Sequence, residues 1–346
     1  MAENVIYTYA PQMRDYLASK PVYAPYLMHF NEPNCNYLSF STDDYGFRKT
    51  YDKKGNLISL ADYNQFNPND KAALIGNSTG FGVGSTSDQT SFASLLNKKT
   101  NLNWFNFCGR TFQSTQDILA YLFFSCFNEQ IVMIISGINN FDLSYRWFNQ
   151  KSIYMPPFYC QNEYNKRFQL YLKLNAIKKR LKNFLFFYKS GNKKYNETFF
   201  SDDIERSYYS NLDLSSLLTP KSINYALSTL KRDLSIVKNK TNNVYYLIQP
   251  ITEWLNKKLS KEEIEIFKYL KYQRGPKWET ISSFLIHYSD EYRRSIKQIC
   301  LSLDIECFDL NELDDLKSDN WIFLDRYHLT DLGQSIVSDY IVNIIN

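Results

Sequence analysis

The stretch Gln130–Ser136, QIVMIIS, constrains this chain more than any other: from Ile131 to Ile135 it is apolar without a break. A strand with one face in water alternates apolar and polar residues. A strand covered on both faces is apolar throughout, as the central strands of parallel sheets are. Shorter runs of the same kind stand at Ala72–Ile75, Trp104–Cys108, Val244–Ile248 and Glu306–Leu310. Between and after them, apolar residues recur at helical spacing in Thr90–Leu96, Ser114–Phe127, Lys221–Lys238 and Asp290–Leu303, and again from Thr330 to the end. This alternation predicts an α/β fold: a three-layer α/β/α sandwich around a central parallel sheet of about five strands.

Two regions stand outside the alternation. Residues 1–70, rich in Tyr, Asn, Pro and Asp, read as an N-terminal extension packing on the core, with short strands at Asn36–Ser41 and Leu57–Ala61 and a turn at Tyr51–Asn56 (YDKKGN). Residues 71–346 then form the main domain, interrupted at about 143–220 by an inserted helical segment. Within the insertion, 173–194 combines Lys178, Lys179, Arg180, Lys182 and Lys189 with Phe184, Phe186 and Phe187. Its plain reading is a helix with a solvated basic face and a buried aromatic one. Its sharper reading is a weak contact with a membrane surface or an anionic substrate.

Composition removes several classes of function. A formal net charge of +4 over 346 residues is too weak and too spread for a dedicated nucleic-acid binder. Cys35, Cys108, Cys126, Cys160, Cys300 and Cys307 form no C-x-x-C pair and no Cys/His cluster with zinc spacing, so they read as reduced structural thiols and no metal is expected. The first residues lack a basic start followed by an apolar core, and no run of about 18 apolar residues occurs, so the expected compartment is the cytoplasm.

The chemistry-bearing residues cluster at strand ends. Ser78, in Gly76-Asn77-Ser78-Thr79-Gly80, follows the first sheet strand on a tight turn, which exposes the hydroxyl and aims backbone N–H groups at the same space. Gly109 follows the second strand and Asn139 the third; a backbone N–H at one and a side-chain amide at the other suit an oxyanion. The chain has three histidines, His29, His287 and His328, and His328 lies three residues after Asp325, in a loop ahead of the last helix. A carboxylate so placed orients an imidazole and stabilises its charged form. Ligands of open parallel sheets bind at the carboxyl edge, where Ser78, Gly109 and Asn139 all fall.

In this order the blocks resemble those of the SGNH (GDSL-like) hydrolases: Gly76-Asn77-Ser78, then Gly109, then Gly137-Ile138-Asn139-Asn140, then Asp325-x-x-His328. The resemblance implies an SGNH/flavodoxin-like sheet and a serine esterase without cofactor. Ser78 would be the nucleophile, His328 the base and Asp325 its orienting acid, with an oxyanion hole from Ser78, Gly109 and Asn139. Its substrate would be an O-acyl ester, an O-acetyl group on a carbohydrate or related small molecule foremost. An O-acyltransferase or a lipid esterase or thioesterase would use the same triad, and a catalytically silent binding module the same fold. Asn77 and Asn140 depart from the family pattern, which has Asp or Gly at the first position and Asp at the second. GNSTG also fits the G-x-S-x-G elbow of α/β-hydrolases, but there several strands precede the serine and the acid and histidine lie far apart.

Overall fold

The computed structural model describes residues 5–147, 166–167, 170–171, 173–174 and 220–345. The extension begins with two short helices, α1 (Val5–Tyr9) and α2 (Met13–Ala18), followed by an antiparallel hairpin of β1 (Val22–Ala24) and β2 (Met28–Phe30). A second hairpin pairs β3 (Thr50–Tyr51) with β4 (Leu57–Ile58). The turn read at YDKKGN is real, since the Asp52 carboxylate accepts the N–H groups of Lys54 and Asn56 and folds the loop on itself. Its strands differ from expectation: Asn36–Ser41 is a loop closed by one antiparallel bridge, and the partner of Leu57–Ile58 is Thr50–Tyr51.

The central sheet has five parallel strands in the order β6-β5-β7-β8-β9. These are β5 (Lys71–Gly76), β6 (Asn103–Asn106), β7 (Ile131–Ser136), β8 (Val244–Ile248) and β9 (Glu306–Asp309). The second strand to be made lies outside the first, and later strands add on the other side, the doubly wound order that places its topological switch beside the first strand. Every residue of β5 and of β7 is buried, as the unbroken apolar run requires.

Successive side chains point to opposite faces, so one sheet feeds two cores. Ala73, Ile75, Val132, Ile134 and Tyr246 face one core; Ala72, Leu74, Met133, Ile135 and Leu247 face the other. The first is closed by α5 (Ser114–Phe124), α6 (Ile138–Trp147), α7 (Pro220–Lys238) and α10 (Pro276–Ser302), the second by α4 (Phe92–Lys99), α9 (Lys261–Arg274) and α11 (Asp331–Ile345). Between β5 and α4 lies the one-turn helix α3 (Ser78–Phe81), and after β8 comes α8 (Thr252–Leu255).

Two helical features exceed the sequence reading. The helix expected at Asp290–Leu303 begins at Pro276 and runs 27 residues, and α9 was not foreseen. Both carry legible start signals: Pro at the first position of α10, and the Ser260/Glu263 capping box of α9. The body of the insertion, including most of 173–194, lies outside the described residues. Among the described residues no helix is long and apolar enough to cross a membrane.

Candidate active site

Gly76 ends β5 with φ +151°, and a Cβ there would stand 2.1 Å from the carbonyl oxygen of Ile135. Only glycine permits that approach between β5 and β7, and the sharp turn it starts puts Ser78 at the first position of α3. Asn77 caps this helix: its side-chain oxygen accepts the N–H of Thr79 at 2.9 Å, and its amide donates to Gln249 Oε1 at 2.7 Å. Gln249, at the end of β8, donates to Thr79 Oγ1 at 2.8 Å, and Thr79 donates to the carbonyl of Tyr327 at 3.1 Å. The Asn that departs from the SGNH pattern thus ties the Ser78 turn, through Gln249 and Thr79, to the loop bearing His328. Gln249 and Thr79 carried no signal beyond their place at strand ends.

His328 Nε2 lies 2.8 Å from Ser78 Oγ, and its Nδ1 lies 2.7 Å from Asp325 Oδ2. The other carboxylate oxygen, Oδ1, accepts the backbone N–H groups of Tyr327 and His328 at 2.8 and 2.9 Å. This local turn explains the three-residue spacing, because one carboxylate caps the turn and orients the ring on it. Removal from bulk water pushes the Asp325 carboxyl up, but the His328 ring and three hydrogen bonds outweigh it and hold the group at about 2. Asp325 is therefore ionised and accepts the Nδ1 proton, which leaves Nε2 free to accept from the Ser78 hydroxyl.

The loop is anchored from behind. Arg326 is buried with its guanidinium 3.6 Å from the centre of the Trp278 ring, pairs with Glu253 at 2.7 Å, and donates to the Trp278 carbonyl and to Ser282. Lys257 and Glu263 form a fully buried pair at 2.8 Å. Glu263 Oε1 accepts the N–H groups of Ile322 and Phe323, and Lys257 donates to the carbonyls of Ser318 and Asn320. Helix α9 thus fixes the chain just ahead of Asp325.

The oxyanion residues are arranged differently from the reading of their types. The Gly109 N–H donates to the carbonyl of Gly76 at 3.0 Å, extending the sheet ladder past the end of β6. Gly109 is glycine for packing, since a Cβ would stand 2.3 Å from the Phe112 ring. Asn139 Nδ2 donates one hydrogen to the Phe112 carbonyl at 2.6 Å. Asn140 instead holds the start of α5: its oxygen accepts the Ser114 N–H and its amide donates to Ser114 Oγ, both at 2.6 Å. Of the other histidines, His29 is buried, and burial followed by the nearby Arg110 charge lowers it to about 3; His287 is exposed on α10, its ring edge-on to Tyr288. Among the described residues no three His, Cys, Asp or Glu side chains are grouped to hold a metal ion.

A doubly wound α/β sheet with a serine, a histidine and a carboxylate in line at its carboxyl edge is the class that fold and site define. No protein-family model matches the chain, and no curated protein matches it in sequence. Among solved structures it is similar to an extracellular lipase from Streptomyces rimosus (14% identity, TM-score 0.41, covering 80% of this chain and 100% of that one). It is also similar to a phospholipase A1 from Streptomyces albidoflavus NA297 (11%, TM-score 0.43, 80% and 99%) and to an acetyl xylan esterase (12%, TM-score 0.39, 80% and 100%). At such identities and scores these likenesses bear no weight for the chemistry, which rests on Ser78, His328 and Asp325.

Proposed function

We propose that this chain is a serine esterase of the SGNH type that cleaves an O-acyl ester. The reading is carried by one observation, the unbroken contact from Asp325 through His328 to Ser78 at 2.7 and 2.8 Å. Ser78 Oγ attacks the ester carbonyl while His328 Nε2 takes its proton, and Asp325 stabilises the imidazolium. The oxyanion is held by the Ser78 N–H, one of the unspent donors at the start of a helix, and by the second amide hydrogen of Asn139. Gly109 supports that pocket through the Phe112 packing that places the Asn139 partner. Collapse of the intermediate expels the alcohol, which takes the proton from His328, and water then frees the acyl group by the same steps in reverse roles. An O-acetyl group on a carbohydrate is the substrate that the sequence resemblance implies. The cytoplasm is the compartment we assign, in keeping with the free thiols of Cys35, Cys108, Cys126, Cys300 and Cys307.

The test is hydrolysis of 4-nitrophenyl esters, from acetate to long chains, by wild type and Ser78→Ala. The expected result is turnover of the acetate that falls by roughly 10⁴-fold or more in the variant. Wild-type rates in Ser78→Ala would remove the nucleophile. Ser78-dependent rates that rise with chain length would replace the acetyl reading by a lipid esterase.

A further inference from the structure

The side chains between the Ser78 turn and the His328 loop form a chain of hydrogen bonds whose direction is fixed at both ends. At one end the Thr79 N–H, which can only donate, goes to Asn77 Oδ1 at 2.9 Å. The Asn77 amide nitrogen therefore faces Gln249. Gln249 presents its oxygen to it at 2.7 Å and its own nitrogen to Thr79 Oγ1 at 2.8 Å. The Thr79 hydroxyl, which accepts from Gln249, gives its one hydrogen to the Tyr327 carbonyl at 3.1 Å, an atom that can only accept. Two backbone groups thus fix the orientation of both side-chain amides.

Gln249 has no freedom to slide along this chain. Its N–H donates to the Ser136 carbonyl at 3.3 Å, and its carbonyl accepts from Asn311 Nδ2 at 3.1 Å. Asn311 in turn donates to the Asp309 carboxylate at the end of β9 and accepts the Ile251 N–H. Asn77, Gln249 and Thr79 are 0%, 1% and 2% exposed, so water does not replace a link that is lost. The chain begins in the residue before Ser78 and ends on the residue before His328, and Ser78 and His328 meet at 2.8 Å. A carboxylate at position 77, as the SGNH pattern has, donates nothing to Gln249. Gln249 would then turn its nitrogen to that carboxylate and its oxygen to Thr79, and the Thr79 hydrogen would leave the Tyr327 carbonyl.

We propose that Gln249 is a positioning residue: through Thr79 it holds the His328 loop at the separation from the Ser78 turn at which Nε2 meets Oγ. Its effect on turnover rests on the esterase reading. Neither Gln249 nor Thr79 handles the transferred proton; both act through the placement of Ser78 and His328. The one-way direction of the relay is the reason that Asn stands at position 77.

The experiment measures kcat and KM for 4-nitrophenyl acetate in wild type, Gln249→Met, Thr79→Val, Thr79→Ser, Asn77→Asp and the double variant Asn77→Asp/Thr79→Val. Gln249→Met, Thr79→Val and Asn77→Asp should each lower kcat by about 10- to 100-fold, the cost of misplacing reacting groups by up to about 1 Å, with KM unchanged. Thr79→Ser, which keeps the hydroxyl, should keep the wild-type kcat. The double variant should fall no further than its slower parent, because both changes break the same link. Wild-type kcat in Gln249→Met or Thr79→Val, a Thr79→Ser enzyme as slow as Thr79→Val, or losses that multiply in the double variant overturn the proposal. The nitrogen NMR shift of His328 Nε2 separates this from the esterase reading, since it reports the bond to Ser78 whether or not an ester is cleaved. It should move in Gln249→Met and Thr79→Val in the direction set by Ser78→Ala, and stay in place in Thr79→Ser. Such shifts without Ser78-dependent turnover leave the relay standing and the esterase reading lost. Ser78-dependent turnover with unmoved shifts and unchanged kcat does the reverse.

Discussion

Asp325 performs two tasks with two oxygens, one capping the turn and one facing the ring, and both favour its charged form. Its carboxyl is depressed from 3.8 in the unfolded chain to about 2, so the stability it contributes is present above pH ~4 and lost as pH falls through about 2. Asp325→Asn is expected to be less stable than wild type by about 2 kcal/mol at pH 6 and equal to it near pH 2, in denaturant titrations at the two pH values. Its ester turnover should fall by roughly 10³- to 10⁴-fold, because the amide no longer holds the Nδ1 proton in place. His29 has the opposite sign. It titrates at about 3 in the fold and near 6.5 when unfolded, so the unfolded chain binds the extra proton between those values and stability drops as pH falls below 6.5. Relative to His29→Gln, wild type should lose about 2 kcal/mol between pH 7 and pH 5. A parallel pH dependence of the two proteins would remove His29 as the cause.

At the scale of elements, the loop that presents His328 is stiffened by neighbours distant in sequence. Glu263, at the N-terminal end of α9, accepts two backbone N–H groups from the chain ahead of Asp325 and is neutralised by Lys257, both side chains at 0% exposure. Lys257→Met leaves that carboxylate charged and alone in the core, which is expected to cost about 3–5 kcal/mol. The unfolding midpoint in urea measures it, and a loss within 1 kcal/mol of wild type would show that water reaches Glu263. Helix α3 is held differently: Arg48 from the extension donates to the carbonyls of Phe81 and Gly82 at 3.1 and 2.8 Å, satisfying the end of the helix that starts at Ser78.

Those bonds make the extension part of the scaffold around the candidate site at the scale of the whole molecule. Tyr16 donates to the carbonyls of Gly82 and Ser85, Asn31 fixes the Cys108–Arg110 turn, and Leu27, Phe30 and Phe47 belong to the same core as Val132 and Ile134. Deletion of residues 1–49 strips α3 of its carbonyl partners and leaves Asp88 without its guanidinium. We expect such a protein to show neither a cooperative unfolding transition nor ester turnover. A truncated protein that kept wild-type hydrolysis would make the extension an accessory.

The sequence by itself determined the sheet and singled out Ser78, Asp325 and His328 as the candidate trio. An apolar run like Ile131–Ile135 has only one environment that buries both its faces, and Asp325 and His328 are near enough in the chain for a local turn to join them. What lies 250 residues apart could not be read from spacing: that Ser78 meets His328 follows from the parallel register, which brings every strand end to one edge. Only tertiary structure could decide the use of each donor. Gly109 spends its N–H on Gly76, and Asn139 spends one hydrogen on Phe112. Nothing in residue type distinguishes a satisfied N–H from a waiting one, because satisfaction depends on which distant carbonyl the fold brings within 3 Å.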